Sequence, residues 1–468
     1  MPKRSITAQQ RDWLHDQLDA WRSEAIITAS QSGQILDQYE TVSESADRQR
    51  SRGVFTLMAV SGLLVALAVL LLIGYNWEAM PAAVKLVIIF GTILGTYALG
   101  FYLRYTLKKH LVSELVFFLG CMFYGAGIFL IAQIFNLNAH YPDGVWWWAV
   151  GVLPFALCLD TLLLHALLVT LLAIWAGMEI LNFNHLGGWF FGRWAYFPNG
   201  AYSLLLMAIP GMIWAYRKRS PMTVALYAPL LAWWVILQPF AWRLETNPAY
   251  FVGAVGALFL ILSESHRSGS PFAMTYRFYG ILLAGGALVP LSFYAFNKEV
   301  FRDGPSTAGL IQTMAIVVLS LLAIGITWQI RRRAGGEPLS FVAQLKELVQ
   351  RQWLPVALLL LMVALALWES ISRVSGSKEQ AAIVPTVLAN LAMLGCGLWL
   401  ITLGLREDRG RPFAAGVFYF LLWAVLRYAD LFGDYGGMLG AALMFFLCGA
   451  ALFGVALFWR KRKGARHA

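Results

Sequence analysis

Seven charged or amide side chains stand in or beside long apolar stretches of this 468-residue chain, and they are its strongest candidates for chemistry. An ionisable group near the centre of a bilayer costs roughly 2.5 kcal/mol or more, so each such residue needs a physical reason. Carboxylates, amides and a guanidinium in that setting can bind a polar group or pair with one another. The seven candidate substrate-binding residues are Glu78, Gln133, Glu179, Glu369, Arg427, Asp430 and Asp434.

Within this set, the residues inside apolar runs carry the stronger signal. Arg427 and Asp430 are three residues apart and share one helix face. For this pair, and for Glu179 and Glu369, a binding site and a structural ion pair between helices are both open interpretations. The remaining three lie near the ends of apolar runs, where contact with lipid headgroups requires no function. No pattern identifies a catalytic residue.

The elements that position these residues follow from composition. Hydrophobic residues make up 59% of the chain and charged residues 13%, whereas soluble domains are about a quarter charged. Crossing a bilayer takes roughly 20 apolar residues as a helix. The sequence therefore predicts an all-α, multi-pass transmembrane bundle of about 14 spans. They are 54–75, 82–103, 111–135, 145–159, 161–181, 199–216, 221–240, 248–263, 274–296, 308–330, 354–371, 381–404, 411–431 and 436–459.

The fourth and fifth spans allow two arrangements in this topology. Segment 145–159 is short, and the turn at Leu159 and Asp160 before the next segment is tight. Two full crossings and a re-entrant hairpin both fit the pattern. Either arrangement preserves the direction of every later span.

The positive charges predict which side of the membrane each gap occupies. Of the 36 Lys and Arg residues, 28 lie in or beside every second gap, which places those gaps in the cytoplasm, and 7 lie in the opposite gaps and helix ends. Both termini are then cytoplasmic, and the expected location is a bacterial cytoplasmic (inner) membrane. The net charge of +11 is accounted for by membrane lipids as partners, and no nucleic-acid partner is expected.

The spans and gaps divide the chain into five predicted regions. They are a cytoplasmic helical hairpin (1–53), a block of about ten spans (54–330), a cytoplasmic amphipathic linker helix (331–353), a block of four spans (354–459) and a basic tail (460–468).

Each helix of the hairpin has a capping-box sequence, Thr7 to Gln10 and Thr28 to Gln31. Two short helices cannot bury a sufficient core alone. Residues 1–45 are therefore expected to dock on the membrane domain, on a second copy or on a cytoplasmic protein. A solubilising cap without a partner is the alternative.

The two blocks of spans share a loose internal similarity. Residues 54–103 are echoed at 354–404, and residues 115–159 at 415–459. A parallel repeat of four spans would suit a transporter, in which sites form between repeats. Likeness of composition between apolar helices is the other explanation.

Several short sequences in this chain resemble a known family. They are residues 26–31 (IITASQ), 35–39 (ILDQY), 76–81 (NWEAMP), 124–128 (YGAGI), 132–136 (AQIFN) and 426–432 (LRYADLF). The set is similar to bacterial membrane proteins grouped as domain of unknown function 2157, most clearly over 10–160 and 410–460. The resemblance implies a multi-pass membrane protein and supplies no substrate or catalytic residue.

Three functions are compatible with this pattern. The polar residues collect at the outer ends of the odd-numbered spans, and convergence of those ends would line a polar cavity open to the outer face. This favours a transporter or flippase-like protein that handles a lipid or amphiphile. A membrane scaffold or envelope-stress sensor, which docks a partner through the hairpin, is the second interpretation.

An enzyme acting on a lipid-linked sugar at the outer face is the third interpretation, with Glu78 or Asp434 as the base. The sequence has no phosphate loop, no zinc-type histidine spacing within a span and no nucleophile elbow. We therefore expect no metal and no cofactor, and a non-enzymatic role is favoured.

Overall fold

The computed structural model describes residues 8–36, 38, 64, 80–137, 141–181, 200–263, 265–266, 270–301, 307–333, 353–375, 378–407, 410–432, 446 and 449. All regular secondary structure in this part of the chain is helical, as the sequence predicts. The described helices are α1 (Ala8–Ser23), α2 (Ala29–Leu36), α3 (Ala82–Phe101, extended by the π-helical turn Tyr102–Thr106), α4 (His110–Ile134), α5 (Tyr141–Leu159), α6 (Leu162–Leu181), α7 (Leu204–Arg217), α8 (Pro221–Ala241), α9 (Pro248–Ser263), α10 (Pro271–Leu291), α11 (Tyr294–Val300), α12 (Ala308–Arg333), α13 (Trp353–Ser375), α14 (Lys378–Glu407) and α15 (Gly410–Phe432).

The length and hydropathy of these helices make the protein a multi-pass membrane protein. Among the described residues, nine helices are long and apolar enough to cross a bilayer. Three shorter apolar helices occur at Leu204–Arg217, Pro248–Ser263 and Pro412–Arg427. Together these twelve correspond to the second to thirteenth predicted spans. The segments 54–75 and 436–459 lie outside the described residues, apart from single positions, so the count of 14 stays a prediction.

The fourth span is longer in the structure than the predicted segment 145–159. Helix α5 has 19 residues, because it begins at Tyr141 rather than at Val145. That length suffices to cross the apolar core of a bilayer. Asp160 then adopts a positive φ of 53° and turns the chain directly into α6. Full crossing by this pair stays a prediction.

The ninth predicted span, 274–296, is wrong as one continuous helix. Helix α10 ends at Leu291, and the short helix α11 begins at Tyr294. Between them Phe293 is extended, with φ −99° and ψ 126°. The hydroxyl of Ser292 donates to the carbonyl of Val289 (2.6 Å), and such local bonds compete with helix continuation.

The chain forms two units, residues 1–88 and 89–468. In the first, the capping box that begins α2 is confirmed. The backbone N–H of Thr28 donates to the Gln31 side-chain oxygen (2.9 Å), and the backbone N–H of Gln31 donates to the Thr28 hydroxyl (3.3 Å). The wider cytoplasmic hairpin over 1–53 stays a prediction, and the linker helix over 331–353 lies almost entirely outside the described residues.

The second unit has two main hydrophobic cores. One joins helices α4 to α8, with Phe117, Leu168 and Tyr227 fully buried. The other joins α7 to α14, and there small residues allow very close helix packing. A Cβ atom at Gly256 would lie 2.3 Å from the backbone nitrogen of Ala284, which is the close approach typical of membrane helices.

Contacts within the second unit sort the helix ends into two sets. At one end, the Asp160 turn meets the last turn of α7 through Trp214. At the other, Gly200 before α7 accepts a hydrogen bond from Gln238 at the end of α8. The start of α9 meets the end of α13 at this second end. Helices α6 to α9 therefore alternate in direction, as the predicted alternation of spans requires.

Several turns between helices use left-handed backbone at residues other than glycine. Lys108, Asn136, Asp160, Arg219 and Arg243 have φ between 48° and 54°. Each follows the end of a helix. In four of these turns the following N–H reaches back to a carbonyl of the last helical turns, as between Ser220 and Ala215 (3.0 Å). This αL closure satisfies carbonyls that the helix itself leaves without partners.

Candidate functional site

The structure gathers two of the predicted site residues, Glu369 and Arg427, into one buried network of polar side chains. Its core is an ion pair on α13: the Arg373 guanidinium contacts the Glu369 carboxylate at 2.7 Å, and the two residues are 4% and 5% exposed. They are four residues apart and thus share a helix face. The same guanidinium nitrogen donates to the backbone carbonyl of Glu245. Such additional hydrogen bonds are what make burial of an ion pair tolerable.

Asn247 connects this ion pair to its neighbours. Its backbone N–H donates to the second Glu369 carboxylate oxygen (3.3 Å), and its side-chain nitrogen lies 3.4 Å from the Asn297 oxygen. Its own side-chain oxygen accepts from the N–H of Ala249 (3.0 Å). Asparagine before Pro248 is a favoured start for a helix, because proline needs no hydrogen-bond acceptor in the first turn. The cap of α9 thus fixes Asn247 inside the network.

Asn297 extends the network across the break between α10 and α11. Its side-chain nitrogen lies within hydrogen-bonding distance of the Leu291 carbonyl (2.7 Å), the Phe293 carbonyl (3.1 Å) and the Thr386 hydroxyl (2.9 Å). The carbonyl of Ser292 accepts from Asn390 (3.0 Å). Carbonyls released at the end of α10 are therefore satisfied by amide side chains from α11 and α14.

Arg427 completes the network from α15. Its guanidinium donates to the Ser292 hydroxyl (3.1 Å) and lies 4.5 Å from the centre of the Phe293 ring. The residue is only 6% exposed. A cation beside the carboxyl end of α10 is favoured by the helix dipole and by the aromatic face. The broken helix is thus the point where Arg427 meets the rest of the network.

Three buried polar atoms around residues 245–247 have no hydrogen-bond partner among the described residues. They are Nε of Arg373, the side-chain oxygen of Gln312 and the hydroxyl of Thr246. Gln312 is fully buried, and its amide nitrogen donates to the carbonyl of Asn247 (3.3 Å). Buried polar atoms in proteins are nearly always satisfied. A donor and two acceptors at this place could therefore bind a small polar group.

The other predicted site residues lie elsewhere or outside the described part of the chain. Gln133 is exposed near the end of α4, and Glu179 is half-buried near the end of α6. Glu78, Asp434 and the side chain of Asp430 lie outside the described residues. The interpretation as an enzyme, which relies on Glu78 or Asp434, therefore stays a prediction.

Sequence reasoning missed several members of the network. Arg373 lies just beyond the predicted span 354–371, yet its spacing of four from Glu369 signals a shared helix face. Asn247 and Gln312 were not singled out, although each stands beside or within an apolar run. Among the described residues, no group of three or more His, Cys, Asp or Glu could hold a metal ion.

The first core explains the first glycine of the YGAGI sequence, Gly125. A Cβ at Gly125 would lie 2.1 Å from the indole ring of Trp148, whose N–H donates to the carbonyl of Cys121 (2.8 Å). In return, the Tyr124 ring occupies the place of a Cβ at Gly151, at 2.2 Å. Helices α4 and α5 therefore pack by two reciprocal ring-on-glycine contacts.

These contacts lie in the part of the chain that matches a known protein family. Residues 19–165 match the family described as "Predicted membrane protein (DUF2157)". The DUF2157 resemblance stated from the sequence is thereby confirmed over this segment. No curated protein and no solved structure matches the chain.

The DUF2157 match covers helices α2 to α5 and parts of α1 and α6. The buried network, from Glu245 to Arg427, lies entirely outside it. The resemblance over residues 410–460 is not part of the match and stays a prediction. The family description names no activity, so functional reasoning depends on the network itself.

Proposed function

We propose that this protein is a transporter or flippase-like protein of the bacterial cytoplasmic membrane, which handles a lipid or amphiphile through the buried network. The membrane lipids supply its substrate or its surroundings, and both termini lie in the cytoplasm. The network occupies the outer ends of its helices under this orientation.

One observation carries the proposal: buried charges lie against the point where α10 ends and the short helix α11 begins. The interruption at Ser292 and Phe293 brings released helix carbonyls, Arg427 and Asn297 together. Transporters commonly build their sites where helices are interrupted and backbone carbonyls are released. Ionisable residues placed inside a membrane bundle usually belong to substrate or ion pathways.

The buried state of the network indicates which part of a transport cycle this structure would represent. Glu369, Arg373 and Arg427 are each at most 6% exposed, so the network is closed to solvent. The cavity open to the outer face, expected from the sequence, then belongs to a second conformation. In that conformation a polar headgroup would meet the Nε donor of Arg373 and the oxygen of Gln312.

Complementation of a strain that lacks the protein tests this function. We expect Glu369→Gln and Arg427→Ala to abolish activity while membrane insertion and yield stay at wild-type levels. Matched controls are Glu379→Gln and Arg243→Ala, because both side chains are exposed at the same end of the bundle. Wild-type behaviour of both network variants would contradict the proposal.

Native mass spectrometry of protein released gently from its own membrane gives a direct readout. We expect a stoichiometric amphiphile on the wild-type protein and its loss in Arg427→Ala. The Arg243→Ala control should retain it. Equal lipid retention by the wild type and both variants would show that the network does not bind the substrate.

A second candidate function has an observation of its own on α1. Trp13 is 59% exposed and Trp21 is 36% exposed, whereas Leu18 on the same helix is buried. Exposed tryptophans are typical of docking surfaces. A scaffold or stress sensor, which binds a cytoplasmic protein or a second copy through residues 1–45, would use this face. Deletion of residues 1–45 should then abolish function while the membrane domain stays stable.

A further inference from the structure

A second polar group lies in the other core, at the opposite helix ends from the network. Its centre is His165 on α6, which is fully buried. Its Nδ1 atom lies 2.9 Å from the hydroxyl of Tyr227. Its Nε2 atom has no hydrogen-bond partner and faces the Asp160 carboxylate at 3.7 Å. One nitrogen of the ring is thus satisfied, and the other points at an acid.

Asp160 forms the mouth of this group. Its side chain is 33% exposed, so its carboxylate reaches solvent. The indole N–H of Trp214 donates to one carboxylate oxygen (2.9 Å), and the Lys218 ammonium lies 3.6 Å from the other. The left-handed backbone at Asp160 sets this position in the turn before α6.

Tyr227 is held in place from the far side by α7. A Cβ atom at Gly211 would lie 2.3 Å from the Tyr227 ring and 2.5 Å from its hydroxyl oxygen. Only glycine therefore leaves room for the hydroxyl that meets His165. Charged or titratable groups that reach this site are Asp160, Lys218, Tyr227 and Arg104, whose guanidinium donates to the carbonyl of Leu159 (3.4 Å).

We propose that His165 is a proton-binding site of the membrane domain and is loaded from solvent through Asp160. In the tautomer that carries its proton on Nδ1, the neutral ring donates to Tyr227 and its Nε2 lone pair faces the acid. A buried polar atom without a partner costs about 1–3 kcal/mol. Protonation converts Nε2 into a donor to an ionised carboxylate, so both ring nitrogens become satisfied.

The transfer balances with groups that are already in place. A proton from water first binds an Asp160 oxygen. The O–H bond then breaks as a bond from Nε2 to hydrogen forms, which leaves an imidazolium beside a carboxylate. The ion pair needs Nε2 and the oxygen to approach from 3.7 Å to hydrogen-bonding distance. Lys218, with a side chain 49% exposed, can turn toward solvent as it gives up its place.

Histidine NMR on the full chain in lipid nanodiscs tests this site. The protein carries ¹⁵N-labelled histidine, and the His165 signal is assigned by its loss in His165→Asn. We expect this signal to change from the neutral to the imidazolium form as the pH is lowered from 8 to 5. A neutral signal throughout that range would overturn the proposal and leave a structural histidine.

Two variants, at Asp160 and at Lys218, should shift the midpoint pH of the His165 titration in opposite directions. Asp160→Asn removes the opposite charge, so the proton affinity of His165 should fall about tenfold or more, which lowers the midpoint by about one pH unit. Lys218→Met removes a competing cation and should raise the midpoint. An unchanged midpoint in both variants would show that Asp160 does not affect protonation of His165, and would contradict proton transfer through Asp160.

The assignment does not depend on one variant that may fold poorly. If His165→Asn does not fold, the signal is identified as the histidine resonance that moves in Tyr227→Phe. That change removes the hydroxyl opposite Nδ1 and keeps the ring. The result is independent of the proposed transport function, because the complementation variants concern residues of the other core.

Discussion

At the residue scale, each charge of the ion pair between Glu369 and Arg373 depends on the other for its stability in the buried interior. Both residues are at most 5% exposed, so neither charge is well solvated if its partner is lost. Loss of one partner of a buried pair costs about 3–5 kcal/mol, whereas loss of both can be nearly neutral. A stability measurement can therefore distinguish the pair itself from the charges that compose it.

We expect Arg373→Met to lower the unfolding temperature in detergent, because it leaves the Glu369 carboxylate buried beside an apolar chain. The double variant Glu369→Gln/Arg373→Met should recover most of this loss. Thermal unfolding followed by circular dichroism measures both. Additive losses in the double variant would show that the two charges do not act as a pair.

His266 is a residue whose surroundings predict a pH dependence. It stacks on Tyr216, Phe272 and Tyr276 with ring centres 5.4–5.8 Å apart, and its Nε2 lies 3.2 Å from the Tyr216 hydroxyl. Burial lowers the pKa of His266 below its usual value. The unfolded chain then takes up this proton first as the pH falls.

Stability from His266 should be complete above about pH 6.5, the pKa of an unfolded histidine, and should be lost as the pH falls through the lower folded value. The difference in unfolding temperature between wild type and His266→Gln should therefore shrink from pH 7.5 to pH 5. A difference that grows on acidification would contradict the sign of this shift.

At the element scale, α4 and α5 pack through aromatic rings that occupy glycine positions. Helix pairs in membranes gain stability from close packing rather than from exclusion of water. The Trp148 ring can lie against α4 only while residue 125 has no side chain. The YGAGI sequence of this chain thus encodes a packing surface.

Gly125→Ala should destabilise the protein, because the added methyl group overlaps the Trp148 ring. Gly91→Ala on α3 is the matched control: nothing lies within 4 Å of its Cβ position, so the change should stabilise the helix by up to about 1 kcal/mol. Unfolding temperatures of the two variants measure the contrast. Replacement of Trp148 by a smaller apolar residue should partly rescue Gly125→Ala.

At the scale of the whole molecule, contacts between helix ends show that helices α6 to α9 alternate in direction. The distribution of positive charge predicts which ends face the cytoplasm. Opposite helix ends meet different partners, so Arg219 and Arg243 belong to opposite ends of the second unit. The excess of positive charge in alternate gaps predicts that Arg219 faces the cytoplasm.

Cysteine labelling in intact cells tests this orientation. In a background without the four native cysteines, Arg243→Cys should react with a membrane-impermeant maleimide added outside. Arg219→Cys should react only after the cells are opened. Both side chains are exposed, so access depends on the side of the membrane. The reverse pattern would invert the topology, and equal labelling would contradict the alternation.

The sequence predicted the helices because the bilayer imposes one simple requirement, an apolar stretch of sufficient length. It predicted Glu369 and Arg427 because charges in such stretches are conspicuous. It did not predict Asn247 or Gln312, because neutral amides cost less and stand near segment ends. The break at Ser292 was missed because hydropathy stays high across it, and the side-chain bonds that accompany it, such as that from the Ser292 hydroxyl to the Val289 carbonyl, appear only in the structure.

In several left-handed turns, a cationic side chain occupies a backbone conformation that is unfavourable for it. Lys108, Arg219 and Arg243 occupy a conformation that glycine would adopt more readily. Each places a cation just beyond the carboxyl end of a helix, where the helix dipole attracts it. Under the predicted orientation, anionic lipids of the cytoplasmic leaflet attract Lys108 and Arg219 as well. Glycine there would relax the turn and remove an anchor. We therefore expect the depth of these helices in the bilayer to depend on residues that occupy an unfavourable backbone conformation.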